Sequence, residues 1–492
     1  MADSTDLNSE EAILFPHQSL SQFSGDLRYT ETTRYLCAAA HLQTDFRNDV
    51  IRQVVEEEHK AIGECIDVDV ASVVKHCLAA RRREALRNIA LMVILLFFIL
   101  FLITFQFKFC LLCLILVWVV VFFELWIGHY KVLARQLTRA GYKPDAINFQ
   151  LDPNLEQKIR ETQNANVVIY SNFTPFIGSG DPIGSWHLTL NITKGKQELE
   201  KSLPPLSFEL LEMYEYLTEA IRELNIDGLS IKDKLYVHGE EIRDDQRFLA
   251  HPFARPHVQV DSSLVRTFIE KPTHSIRYYK CLQVMPQKGE LVLSIFLNFA
   301  KKRPYLHARA QYFLLPPLKE IYYEEIDAVH PNLLVGKIWQ LLKESISAAP
   351  RLWILSPIEL FKALLLPLQH QVELLRIRKQ IRENRNFDYG ATNSIRQDAS
   401  ALLQRRYFHK LDADMHLKII ERQILESTVE FLEMKNIDTT ELKKQQTTIL
   451  NSGLIITGGA INADSIAVGD QAKAETTKGD NQGGYHGQKH AE

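Results

Sequence analysis

Residues 89–123 run IALMVILLFFILFLITFQFKFCLLCLILVWVVVFF, with Gln106 and Lys108 as the only strongly polar side chains. At about 1.5 Å per residue, one straight helix of this length would extend roughly 52 Å, against about 30 Å for the hydrocarbon core of a bilayer. Divided at Gln106-Phe107-Lys108, the run gives two halves of roughly 17 to 19 residues, each long enough for a short span. The sequence therefore predicts a transmembrane helical hairpin over 88–128, with Gln106 and Lys108 at its turn. Arg81, Arg82, Arg83 and Arg87 precede it, and Lys131, Arg135 and Arg139 follow it. Basic flanks on both sides predict that both ends, and so both termini, face the cytoplasm. Lys108 can snorkel to the far headgroups.

Working outward, the chain of 492 residues has room for two to four domains at about 150 residues each. A formal net charge of -3 gives no global attraction to nucleic acid, and none is expected as a partner. Cys37, Cys65, Cys77, Cys110, Cys113 and Cys281 are scattered in a way that resembles no disulfide framework, which points to a reducing compartment. The opening MADSTDLNSEEAILFPHQSL is acidic and lacks the apolar core of a secretory signal. Cys110 and Cys113 have CxxC spacing inside apolar helix, where they fit close helix packing better than redox or metal chemistry.

Residues 1–28 are expected to be disordered and 29–87 helical, with a break at Asp67–Asp69 and one long helix from Val70 into the first span. A basic connector helix over 129–160 leads to an α+β domain over 161–330. There NVVIY, WHLTLNI, KLYVHG, IRYYKCLQVM, ELVLSIFLNFA and HARAQYFLLPPL have the β-branched and aromatic content of strands. A mainly antiparallel sheet is expected, with a hairpin turned at Pro286-Gln287-Lys288-Gly289 and an amphipathic helix, SFELLEMYEYLTEAIREL, between strands. Residues 331–380 predict amphipathic helices broken at Pro350, Pro357 and Pro367, with Trp339 and Trp353 suited to a bilayer surface. Over 381–450 a polar connector precedes a long helix whose Leu417, Ile420, Ile424, Val429, Leu432 and Ile437 suit pairing with further copies of the chain. A Gly/Ala-rich, β-like segment is expected over 451–474, and a disordered tail over 475–492.

Two stretches carry candidate ligand chemistry. In NVVIYSNFTPFIGSGDPIGSW, Gly178, Gly180 and Gly184 follow a strand, and backbone amides there could form an anion nest. The Gly-Lys-Ser/Thr ending of a P-loop is missing, and a strand follows where a dinucleotide fingerprint needs a helix. In YVHGEEIRDDQRFLAHPFARPH, His238, Glu241, Asp244 and His251 bring imidazoles and carboxylates together. Their spacing matches no metal motif, and interleaved acid and base equally describes an ion-paired surface loop. The acid run Glu56–Glu58 with His59 suits a solvated helix face. Nucleophile elbows, HExxH helices and kinase signatures are missing from the sequence, so a catalytic residue is not assigned, the cofactor is unknown and no metal is expected.

TRYLCAAAHL, HCLAARRR, NVVIYSNFTPFIGSG, HGEEIRDDQRFL, FDYGATNSIR and KIIERQILESTVEFLEMKNIDTTEL together resemble a group of uncharacterised bacterial membrane proteins, chiefly actinobacterial in type. That resemblance implies a bacterial inner-membrane source and transfers no functional residue. DSIAVGDQAKA, residues 464–474, is similar to the head repeats of trimeric autotransporter adhesins, which implies a small self-associating β-cap. The expected protein is a homo-oligomeric, cytoplasm-facing scaffold, sensor or membrane effector, its partners the lipid bilayer and copies of itself through the C-terminal helix and tail. The rival expectation is a membrane-tethered enzyme or binding module for a nucleotide or phosphorylated ligand.

Overall fold

The structure is a computed structural model that describes residues 20–138, 142, 149–198, 201–286, 291–327, 335–401 and 407–451. In chain order its first elements are α1 (Leu20–Leu42), α2 (Thr44–Ile51), α3 (Val70–Ile103), α4 (Phe107–Trp126) and α5 (Pro153–Gln163). Strands β1 (Val167–Tyr170), β2 (Asp181–Asn191), β3 (Gln197–Glu198) and β4 (Lys201–Ser202) precede α6 (Leu210–Arg222). Then come β5 (Leu229–His238), α7 (Ser262–Glu270), β6 (Ile276–Val284), β7 (Val292–Lys302) and β8 (Tyr305–Leu315). The remaining helices are α8 (Glu320–Asp327), α9 (Val335–Glu383), α10 (Ile395–Asp398), α11 (Tyr407–Met434) and α12 (Thr440–Asn451). Helix α1 begins inside the stretch expected to be disordered. The tail from 452 onward and the turn residues 287–289 lie outside the described residues.

The apolar run divides as its length requires. Helices α3 and α4 pack on each other around a turn at Thr104–Gln106, where Phe105 takes a left-handed φ of 56°. Gln106 sits in that turn and Lys108 in the first turn of α4. Cys110 and Cys113 are buried, as close packing between helices asks of small residues. Most other apolar side chains of the hairpin are exposed, including Leu96, Phe97, Leu100, Leu111 and Leu114. Exposed apolar surface of this extent is compatible with helices that cross a membrane.

Helix α9 departs from expectation. Pro350, Pro357 and Pro367 fall inside one continuous helix instead of dividing it. Pro357 lacks the N–H that would bond the Trp353 carbonyl, and the neighbouring Ser356 hydroxyl donates to that carbonyl instead, at 2.8 Å. The first half of α9 lies against the hairpin. Ala349 and Trp353 pack on Leu91, Val117 and Val121, and the Trp118 indole donates to Ser345 Oγ at 3.0 Å. Among the described residues, three helices are thus long and apolar enough to cross a membrane: Val70–Ile103, Phe107–Trp126 and Ile338–Glu383.

The chain divides into two compact units. The first comprises Met1–Pro182, Ile226–Asn298 and Gln311–Leu402. One core of it gathers Cys37 and Val74 from before the hairpin, Leu133, Leu151 and Leu318 from after it, and Ile395 and Ala399 from beyond α9. Asp69 starts α3 as its N-cap, accepting from Ala71 N at 3.1 Å and Ser72 N at 3.4 Å. It also accepts from Ser72 Oγ at 2.5 Å and Gln163 Nε2 at 3.1 Å. Asp69→Ala is expected to lower stability by about 1–2 kcal/mol, read as an earlier thermal unfolding transition.

The sheet has six strands in the order β1-β5-β6-β7-β8-β2 and is mixed. Strand β1 runs parallel to β5, with Tyr170 opposite His238, while β5–β6 and β6–β7 are antiparallel. The parallel β1–β5 pair makes mixed a sheet that was expected to be mainly antiparallel. The segment 387–397, a loop that runs into α10, extends that edge: Ala391 N donates to Ile169 O at 2.9 Å and Ser171 N to Ala391 O at 3.1 Å.

Buried histidines, His41 and His59 among them, make this unit acid-sensitive. Burial, then His76 and the guanidiniums of Arg83 and Arg47, depress the pKa of His41 well below the ordinary imidazole value. Burial also lowers that of His59, whose ring faces the Phe253 carbonyl at 2.9 Å. Both are neutral when folded, whereas the unfolded chain binds protons as pH drops through about 6.5. Stability is therefore complete above that pH and is lost as pH falls below it. Thermal melts between about pH 7.5 and 5 should show a falling midpoint, and His59→Gln should flatten the fall.

The second unit comprises Ile183–Asn225, Phe299–Ala310 and Leu403–Glu492. Helix α6 buries Leu210, Met213, Tyr214, Leu217 and Ile221, and packs on α11. Phe208 meets Phe431 edge-on at 5.4 Å, and Tyr214 Oη accepts from Phe299 N at 2.7 Å. The apolar residues Leu417, Ile420, Ile424 and Leu432 of α11 are buried within this unit. Phe408, Leu411, Met415 and Ile419 stay exposed along the helix.

Candidate functional site

A cavity of about 600 Å³ opens in the first unit where the loop after β1 meets the loop preceding α10. Aromatic rings form its floor. Phe176 inserts under the sheet, stacked on Phe296 at 4.2 Å and set edge-on to Tyr279 at 5.2 Å, with Phe313 beside it. Phe173 stands fully exposed at the cavity. Asn172, Gln311, Asn393 and Gln397 supply neutral polar groups, and Asp181 and Asp398 supply carboxylates. The lining contains no Lys, Arg or His among the described residues. Gln311 Oε1 is buried without a hydrogen-bond partner, an acceptor whose desolvation is uncompensated. An aromatic floor with one open acceptor suits a neutral or cationic ring that donates a hydrogen bond.

The glycines of the loop have a packing role. Gly178 and Gly180 both adopt φ of 84°, the left-handed region that favours glycine. A Cβ on Gly178 would overlap the Glu64 carbonyl oxygen, and one on Gly180 would overlap the backbone of Leu314. The Gly178 N–H is already committed to Gln397 Oε1 at 2.9 Å. That one amide is thus spent on closing the loop, Gly180 lines the cavity, and Gly184 lies within β2.

The polar stretch after β5 is spread over a surface loop. His238 stacks edge-on with Tyr170 at 5.2 Å, and Glu241 pairs with His274 at 2.9 Å. His251 Nδ1 accepts from Phe253 N at 3.3 Å, Asp244 is exposed, and Asp245 is held by Arg247 at 2.6 Å. None of His238, Glu241, Asp244 and His251 lines the cavity. Among the described residues, no cluster of His, Cys, Asp and Glu has the makings of a metal site. The cavity residues missed by sequence reasoning, Asn172, Tyr279, Gln311 and Asn393, are uncharged and far apart in the chain. FDYGATNS, with its turn-forming Asp, Gly and Asn, was the one local sign of a fixed loop.

Fold and cavity define a mixed helix-and-sheet protein with apolar helices of membrane-crossing length and a small-molecule-sized cleft. The chain belongs to the AbeC-like domain family, whose model matches residues 185–462, more than half of its length. That match begins beyond the hairpin. Neither comparison with curated proteins nor comparison with solved structures gives a match.

Proposed function

We propose that the chain is a two-pass protein of the bacterial inner membrane, a homo-oligomeric sensor or scaffold whose folded body faces the cytoplasm. The observation that carries this reading is the shared core of the first unit. Residues from before the hairpin, from between the hairpin and α9, and from beyond α9 all meet in it. A chain that leaves one folded core and returns to it ends on the side from which it started. Helices α3 and α4 therefore cross as a pair, and α9 makes no net crossing despite its hydropathy. Instead α9 rests beside the hairpin, its exposed Ile354, Ile358, Phe361 and Leu368 dipping into the bilayer surface. The arginines at the hairpin root favour the cytoplasmic side for that core.

The aromatic cavity is the sensing site in this reading. Its lack of lining cations supports a neutral, hydrogen-bonding ligand over the nucleotide or phosphate of the enzyme reading. Self-association uses the exposed Phe408, Leu411, Met415 and Ile419 of α11, together with the tail.

Labelling with a membrane-impermeant maleimide tests the topology. The native cysteines are buried or half-buried, which keeps background low. Lys108→Cys is expected to react from outside the cell, and Lys158→Cys and Lys444→Cys only after the inner face is opened. Reaction of Lys444→Cys from outside would mean that α9 crosses, and the proposal would fail.

A further inference from the structure

The root of the hairpin holds a second cavity, of about 210 Å³, whose wall is dominated by charge. Arg47 comes from α2, Arg83, Glu84 and Arg87 from α3, and Glu124 from the end of α4. Arg83 Nε donates to Glu124 at 3.2 Å, and Arg87 reaches Glu84 at 3.1 Å and Glu124 at 3.6 Å. Arg47 also pairs with Glu84. Each carboxylate is thus clamped by two guanidiniums. His41 faces Arg83 at 3.3 Å and His76 at 3.1 Å, and is held neutral, as argued above.

Charge counting leaves an excess. Three guanidiniums face two carboxylates, so the wall carries one uncompensated positive charge. Asn88 Oδ1 also accepts from Arg87 Nε at 3.2 Å and from a terminal nitrogen of Arg87 at 3.1 Å, yet three guanidiniums still offer more N–H groups than two carboxylates, an imidazole and one amide oxygen accept. Arg47 is 5% exposed, and its Nε has no hydrogen-bond partner. A buried guanidinium with an idle donor is costly unless an acceptor fills the space before it. Planar forks of this kind suit the oxygens of a phosphate. The position also matters: Arg87 lies two residues before Ile89, where the apolar run begins.

We propose that this cavity binds a phosphate-bearing anion, with Arg47, Arg83 and Arg87 as its donors. At that depth the source is the headgroup of an anionic phospholipid, which enters from the adjacent leaflet and fastens the hairpin to the soluble body. The lipid source rests on the membrane reading above, whereas the phosphate chemistry rests on the cavity alone.

The full chain, reconstituted in nanodiscs of phosphatidylcholine with or without phosphatidylglycerol, provides the test. Phosphatidylglycerol is expected to raise the unfolding midpoint by about 5 °C and to be retained in native mass spectra. Arg87→Gln should abolish the increment. Glu84→Gln, which removes a competing carboxylate, should enlarge it, an outcome that a purely structural ion network would not produce. Inorganic phosphate added to phosphatidylcholine discs separates the sources. If it alone gives the full increment, the site stands and its occupant is a soluble phosphate. Equal midpoints under all three conditions, or an increment unchanged in both Arg47→Gln and Arg87→Gln, would overturn the proposal. Failure of the topology reading would appear in the labelling experiment and leave the phosphate arm intact.

Discussion

Replacing Lys234 by methionine is expected to destabilise the first unit by about 3–5 kcal/mol, because it leaves the Glu64 carboxylate half-buried without its cation. The side chain of Lys234 is 1% exposed and pairs with Glu64, which lies in the segment leading into α3. Burial pulls the pKa of Lys234 down, and the Glu64 carboxylate, with Cys281 behind it, brings it above the ordinary lysine value. The cation therefore persists inside the fold. Ser394 Oγ donates to the Glu64 carbonyl at 2.6 Å, so three distant stretches of chain converge on this one residue. The double variant Lys234→Met with Glu64→Leu should recover much of the loss, since it removes both charges together. Thermal unfolding of the two variants in detergent decides the matter. A double variant no more stable than the single would show that the charges are not coupled.

The second large effect is expected at Gly390. A Cβ there would overlap the carbonyl carbon and oxygen of Tyr170 and the nitrogen of Ser171, all of them backbone atoms without a rotamer to yield. Gly390→Val should lift the segment 387–397 off β1. The bonds between Ala391 and the β1 edge would go, and with them the bond from Gly390 N to Asp388 Oδ1 at 2.8 Å. Overpacking of this kind costs about 1–3 kcal/mol where side chains can move, and more where backbone must. Because Asn393 lines the aromatic cavity from this loop and Gln397 from α10 directly after it, the cavity should open along with it. Limited proteolysis gives the readout: early cleavage near residues 384–400 in the variant and protection in the parent. Equal protection would mean that the loop tolerates the side chain.

Much of the architecture is legible in residue order. The hairpin follows from a run too long for one span and interrupted at Gln106 and Lys108. The strands of the six-stranded sheet follow from β-branched and aromatic stretches bounded by Gly, Pro and Lys. Asp69 as the start of α3 follows from a short polar side chain placed before an apolar helix. Helix α9 runs on through prolines that act locally as stop signals, because the rescue of the Trp353 carbonyl by Ser356 depends on side-chain geometry. The glycines of NFTPFIGSG suggested an anion nest, yet the Gly178 amide is taken by Gln397, more than two hundred residues away in the chain.

By itself, then, the sequence determined the pieces: which stretches are apolar enough for lipid, which alternate as strands, and where helices begin. These are properties of short windows, set by transfer free energies and backbone preference. Only the tertiary structure decided which pieces meet. It brought four separate segments around one aromatic cavity, and three helices around a ring of guanidiniums and carboxylates at the hairpin root. Single loops of each site are marked in the sequence by glycines or arginines, but their partners are not, because the entropy lost in closing long loops is offset only by contacts between residues far apart in the chain.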